Sequence, residues 1–357
     1  MCKLHLRQKL LLLIFGVCLS VCAEEIPWHL SEEGADVAPA SIASTDIKPG
    51  AYKITVAVID SGLLAGHPSL TGKILPGYDM VSAPNNLRGD RSSNFAPDGR
   101  DSLCKGRVIS NASRTHGTEV ASLIAGNGVY GVFGVNVNAR IVPIRVFGAC
   151  GSNRKDLIDS LAWAAGWPVS GAPINANPAK IINLSISGGL PSCGQDLQSV
   201  VDKLIDHGIF IVSAAGNNFH KSLQEPANCR GVISVGALDA NNQIAVYSAL
   251  DSRIVLYAPG GGRRLTNNHP WGVNKIKIAT YDQDLLGREE STGESRGIGT
   301  SFAAPIVSGF ISLWLSYKPD KIPSELEREL PKFLRDVEPI ADCMECNPKG
   351  LNASFLK

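Results

Sequence analysis

Short apolar, β-branched runs alternate along the chain with stretches whose apolar residues recur at helical spacing. Ile54–Ile59, Arg140–Val146, Lys180–Ser185, Ile209–Ala214 and Gly231–Val235 read as strands. Asp156–Ala165 places Leu157, Ile158, Leu161 and Ala165 on one face. Leu197–His207 does the same with Leu197, Val200, Val201, Leu204 and Ile205. Strands that alternate with helices in this way predict an α/β fold: a three-layer, doubly wound, mostly parallel sheet covered on both faces. In such folds chemistry sits at the carboxyl ends of the strands.

The flanking segments differ. Lys3, Arg7 and Lys9 precede an apolar run from Leu10 to Cys22, and Val21-Cys22-Ala23 offers small residues for cleavage. Residues 1–23 therefore read as a secretory signal peptide, too short for a membrane span. The alternative is a lipoprotein signal acylated at Cys22, which the size of Val21 disfavours. Residues 24–50, with Pro27, Gly34, Pro39, Pro49 and Gly50, read as an extended N-terminal arm. The main domain is expected over 51–320. Residues 321–357 read as a helix around Glu325–Val337 and a Cys-bearing tail. Two long polar stretches, 82–115 and 260–300, read as loops.

Composition narrows the function. The 357 residues carry 34 Lys and Arg against 33 Asp and Glu, and 44% are hydrophobic. That excludes a disordered chain and leaves no basic excess for nucleic acid. Removal of residues 1–23 would leave 31 basic and 33 acidic residues. It would also leave six of the nine cysteines: Cys104, Cys150, Cys193, Cys229, Cys343 and Cys346. In an exported chain an even set reads as up to three disulfides, with about 15 pairings open. Zinc is the alternative, but only Cys343-x-x-Cys346 has ligand spacing, and no His follows it.

Three polar points carry candidate chemistry. Asp60 ends the first strand, His116 stands where a helix is expected to start, and Ser301 opens a small-residue helix running to about Tyr317. Each alone has an ordinary reading, as a turn former, a surface histidine or an N-cap. Together their order, Asp then His then Ser, is one of the known triad orders.

The chain resembles the subtilisin-like (subtilase) serine peptidases, in particular a disulfide-containing secreted bacterial branch. The residues that carry the resemblance are Val58-Ile59-Asp60-Ser61-Gly62, His116-Gly117-Thr118, Ile182-Asn183-Leu184-Ser185, Ser213-Ala214-Ala215-Gly216-Asn217-Asn218 and Gly299-Thr300-Ser301-Phe302-Ala303-Ala304-Pro305. It covers roughly residues 54–317 and implies a subtilisin-like fold. It implies Ser301 as nucleophile, His116 as general base and then acid, and Asp60 as the group that orients the imidazole. It implies Asn217 as an oxyanion donor together with the Ser301 N–H. Extended polypeptide substrates would pair with Ser185, Ile186, Ser187 and Gly188, one wall of the P1 pocket. Ala214, Ala215 and Gly216 would form the other wall, and their small size suggests room for a large apolar side chain.

The departures from the family pattern are Glu119, where a second His is common, Ser122 and Ser187, where Gly is common, and Ile306, where His is frequent. They imply altered specificity with the chemistry intact. The family's pro-domain is much longer than the arm at 24–50. The resemblance further implies the pairs Cys104–Cys150 and Cys193–Cys229, with Cys343–Cys346 as a local pair. No cofactor is required for the chemistry. Structural calcium is in keeping with the family, and Asp79, Asp90, Asp98 and Asp101 offer hard oxygen ligands, or are solvated turn residues. The expected protein is an exported monomeric endopeptidase, secreted or periplasmic, with no membrane span in its mature form. The alternative is a catalytically silent subtilase fold used for binding.

Overall fold

The structure, a computed structural model, describes residues 50–82, 103–104, 107–108, 111–148, 151–219, 222–262, 276–283, 289–337 and 347–351. Its strands are β1 (Thr55–Asp60), β2 (Tyr78–Asp79), β3 (Leu103–Cys104), β4 (Arg107–Val108), β5 (Arg140–Arg145), β6 (Ile181–Leu184), β7 (Phe210–Ala214), β8 (Ile233–Leu238), β9 (Leu256–Pro259), β10 (Ile276–Gln283), β11 (Glu289–Gly297), β12 (Leu334–Asp336) and β13 (Lys349–Leu351). Its α-helices are α1 (Asn111–Ala125), α2 (Arg154–Ala164), α3 (Gln195–Asp206), α4 (Thr300–Tyr317) and α5 (Pro323–Glu329).

Nine strands form one sheet in the order β12-β13-β9-β8-β7-β6-β1-β5-β2. Every pairing in it is parallel except β12 with β13. The alternation of the strand side chains builds the two core layers. Val56 and Val58 of β1 join Ile141, Ile181, Phe210 and Val212 on one face, under α1 and α4. Ala57 and Ile59 join Val142, Ile144, Ile182 and Leu184 on the other, under α2 and α3. This is the expected three-layer doubly wound fold; the expected strands, and the helices expected at 156–165 and 197–207, form within two residues of their ends, β8 excepted, which begins two residues later and runs three residues further.

Helix α4 is apolar almost all round and buried from Phe302 to Ser316. By length and composition it passes for a membrane span, but 89% of its apolar window is packed inside the protein, as befits a core helix.

Several elements differ from the sequence reading. Residues 260–300, read as a loop, contain the antiparallel β10–β11 hairpin. Its β11 strand, EESTGESRG, has no apolar alternation to reveal it. Strand β9 was not anticipated either. The helix at 325–337 is shorter than expected: α5 stops at Glu329, a 3-10 turn with Pro331 follows, and the chain then enters β12. Strands β12 and β13, both from the 321–357 segment, extend the main sheet. His116 lies in the second turn of α1, not at its start.

Candidate active site

Strand β1 delivers Asp60 to the carboxyl edge of the sheet, where it is 1% exposed. Its Oδ1 accepts the Ser61 N–H at 2.7 Å. His116 Nδ1 donates to both carboxylate oxygens, at 2.9 and 3.0 Å. This fixes the neutral tautomer with its proton on Nδ1 and leaves Nε2 as the acceptor. The approach of α1 depends on Gly117. A Cβ there would stand 1.9 Å from the Gly62 carbonyl oxygen, so no other residue lets the helix seat against the Asp60 turn. Ser61 Oγ accepts the Gly117 N–H, and Thr118 Oγ1 accepts the Leu64 N–H, which fasten that contact. Burial opposes protonation of His116, but the charge and hydrogen bond of Asp60, helped by the charge of Glu119, outweigh it and raise its pKa above the ordinary imidazole value.

Ser301 is the second residue of α4, where backbone N–H groups lack intrahelical acceptors. Pro305 removes the N–H that would normally bond the Ser301 carbonyl four residues back. Ser185 Oγ supplies the missing donor at 2.8 Å. Ser185 in turn accepts from Asn183 Nδ2, and Asn183 Oδ1 accepts from Ser308 Oγ. One chain of neutral hydrogen bonds thus ties the end of β6 to two turns of α4. Phe302, next to Ser301, packs its ring 5.9 Å from that of His116.

Asn217, just beyond β7, is oriented by Thr300. The Thr300 N–H and hydroxyl both donate to Asn217 Oδ1 at 2.9 Å, and Gly216 N–H donates to Thr300 Oγ1. The amide therefore turns its Nδ2 outward. A Cβ at Gly299 would lie 2.9 Å from Ser301 Oγ and 3.1 Å from Asn217 Nδ2. Glycine, with φ of 154°, keeps that space clear, and the hydroxyl and amide donor face it together. The structure thus gathers Asp60 with His116, and Ser301 with Asn217, at the carboxyl ends of β1, β6 and β7.

The segment after β6 lies beside this centre. Ser187 crosses toward the end of β7: its Oγ is 2.8 Å and its Cβ 3.4 Å from where a Gly216 Cβ would stand. Glu225 holds the same segment from outside. Its carbonyl accepts Gly188 and Gly189 N–H, and its carboxylate takes Leu190 and Gly194 N–H and an ion pair with Arg154. Burial alone would raise the Glu225 pKa; Arg154 and the two N–H groups reverse that and lower it. A groove of about 510 Å³ lies against this stretch, walled by Phe147, Leu157, Ile186 and Leu190. A Cys193–Cys229 disulfide, with Cα atoms 5.0 Å apart, closes a separation of 36 residues around it. In the loop-entropy account such a closure contributes about 4 kcal/mol.

Cys150, Cys343 and Cys346, and the side chain of Cys104, lie outside what is described, as do Asp90, Asp98 and Asp101. Asp79 does not suit the calcium role: it is buried, its Oδ2 is 2.6 Å from Arg145 Nη1, and its Oδ1 accepts Val81 N–H. No group of three or more His, Cys, Asp and Glu side chains that could hold a metal occurs among the described residues. Sequence reasoning missed two residues of consequence. Thr300 stood inside a quoted motif without a role, and Glu225 had no local signal at all, since its partners are remote in sequence.

A family model described as the subtilase family matches residues 52–335. The chain belongs to the subtilase family. It is 38% identical over 276 residues to an extracellular basic protease of Dichelobacter nodosus, covering 74% of this chain and 43% of that one. It is 35% identical over 310 residues to an extracellular protease of Xanthomonas campestris, covering 82% of this chain and 50% of that one. The chain thus spans about half the length of these curated relatives. A solved protease structure from Pseudoalteromonas arctica superposes with a TM-score of 0.77 at 32% identity, covering 92% of this chain and 96% of that one. A cold-adapted subtilisin-like serine proteinase, at TM-score 0.64 and 23% identity over 91% of this chain and 97% of that one, shares the fold.

Proposed function

We propose that the protein is an exported serine endopeptidase that cleaves extended polypeptides through an acyl-enzyme on Ser301. His116 takes the Ser301 proton and later gives it to the leaving amine, and Asp60 stabilises the imidazolium formed between the two. Asn217 Nδ2 and the Ser301 N–H stabilise the oxyanion. The observation that carries this reading is the shared space beside Gly299, faced by Ser301 Oγ and Asn217 Nδ2, next to an imidazole whose tautomer Asp60 fixes. Export is supported by the names of the two extracellular relatives and by the residue 1–23 pattern.

The cleft between the ends of β6 and β7 receives the P1 side chain. Ser187 reaches into it from the β6 side, its Oγ 2.8 Å and its Cβ 3.4 Å from where a Cβ on Gly216 would stand. The Ser187 side chain, facing the small Ala214, Ala215 and Gly216, therefore takes part in the choice of P1 residue. Casein hydrolysis by the oxidised protein, abolished in Ser301→Ala, tests the peptidase reading. Hydrolysis that survives the substitution contradicts it.

A further inference from the structure

Two of the departures from the family pattern, Glu119 and Ser122, lie on α1 three and six residues after His116, on one helix face. Both are buried, at 7% and 0% exposure. Both meet the β10–β11 hairpin. Ser122 Oγ accepts the Ala279 N–H at 3.1 Å and donates to the Glu119 carbonyl. Glu119 Oε1 accepts from Thr115 Oγ1 at 2.6 Å and, more weakly, from Thr280 Oγ1 at 3.4 Å. From the turn before Pro68, buried His67 reaches the same strand: its Nδ1 accepts Ser69 N–H, so its Nε2–H donates to the Thr280 carbonyl at 2.9 Å. The far end of the hairpin bears on the nucleophile's helix: a Cβ at Gly297 would stand 2.3 Å from the Phe302 ring. The hairpin therefore touches both the helix that carries the base and the helix that carries the nucleophile.

We propose that Glu119 is a positioning residue for His116. Through Thr280 it registers the hairpin on α1, and so sets the His116 helix against the Ser301 helix. Its carboxylate also adds a second negative charge, after that of Asp60, to the surroundings of the imidazole. Among the described residues, the titratable groups around it are His116 on its own helix, Asp60 at the end of β1, and His67 bonded to the Thr280 carbonyl. The hairpin faces it with the uncharged hydroxyl of Thr280. Burial raises the carboxyl's own pKa, and the nearby imidazole and the Thr115 hydroxyl oppose that rise.

The inference rests on the peptidase reading, and the experiment separates the two. Steady-state hydrolysis of a peptide p-nitroanilide is followed against pH for wild type, Glu119→Gln, Glu119→Ala and Thr280→Val, each titrated with a fluorophosphonate. Glutamine keeps the acceptor and removes the charge. Its acid limb of kcat/KM is expected roughly 0.5–1 pH unit below that of wild type, because one anion that favours the imidazolium is gone. Glu119→Ala is expected to lose about tenfold in kcat at the pH plateau with little change in KM. Glutamine recovers most of that loss, and Thr280→Val falls in the same direction by less. A role in stability alone would lower Tm and leave the limb in place. An acid limb unmoved in Glu119→Gln overturns the electrostatic part. Unaltered plateau kcat in Glu119→Ala overturns the positioning part, and if that variant does not fold, unaltered kcat in Thr280→Val does so. Wild-type protein that neither hydrolyses nor labels contradicts the peptidase reading itself.

Discussion

Ser301 and Asn217 are fastened by neutral groups, the hydroxyls of Ser185, Ser308 and Thr300 and the amide of Asn183. His116 instead sits among ionisable ones, Asp60 at 2.9 Å and Glu119 one turn along α1. The two halves therefore answer pH differently. Hydrogen bonds between hydroxyls and amides do not titrate in the working range of a peptidase. The oxyanion and nucleophile geometry stays fixed while the imidazole changes charge. On the proposed mechanism, the base half alone would set the pH profile, and the nucleophile half would set the height of the rate and the choice of side chain.

That division can be broken from the nucleophile side. The largest effect is expected from Asn217→Ala, which removes one oxyanion donor and should lower kcat by about 10²–10³. Its acid limb should coincide with that of wild type, since no charge near His116 changes. A moved limb would show that the two halves are coupled. Ser187→Gly should act less on rate and more on selection. Clearing the side chain beside Gly216 is expected to raise kcat/KM for Phe over Ala at P1 by roughly ten- to a hundredfold. A P1 profile identical to wild type would remove Ser187 from the specificity account. The smallest displacement, that of the acid limb in Glu119→Gln, belongs to the base half and sharpens the same comparison.

The halves also differ in how far they could be read from sequence. Asp60, Asn217 and Ser301 sit in short motifs at strand ends and a helix start, His116 in one inside a helix, and the strands that carry Asp60 and Asn217 are plain in their β-branched runs. The clasp around Glu119 was not readable. Thr280 lies in a stretch taken for a loop, because β11 is polar throughout, and its contacts bridge 161 and 213 residues of chain. Glu225 is similar: its carboxylate serves backbone N–H groups 31 and 35 residues away. Periodicity reports which face of an element is buried. It carries no information on which distant polar group that face will meet. Ser187 is a further case, since its approach to Gly216 joins the ends of two strands and has no local signal.

The central claim is that Ser301 is activated by His116 with its imidazole held by Asp60. The most direct test is the rate of fluorophosphonate labelling against pH, with the labelled peptide identified by mass spectrometry. The account predicts a single label on Ser301, formed at a rate that rises with pH as the imidazole loses its proton. The midpoint should lie above 6.5, because the anionic partners of His116 hold its pKa above that value. Labelling elsewhere, or a rate at Ser301 that does not change with pH, would contradict it.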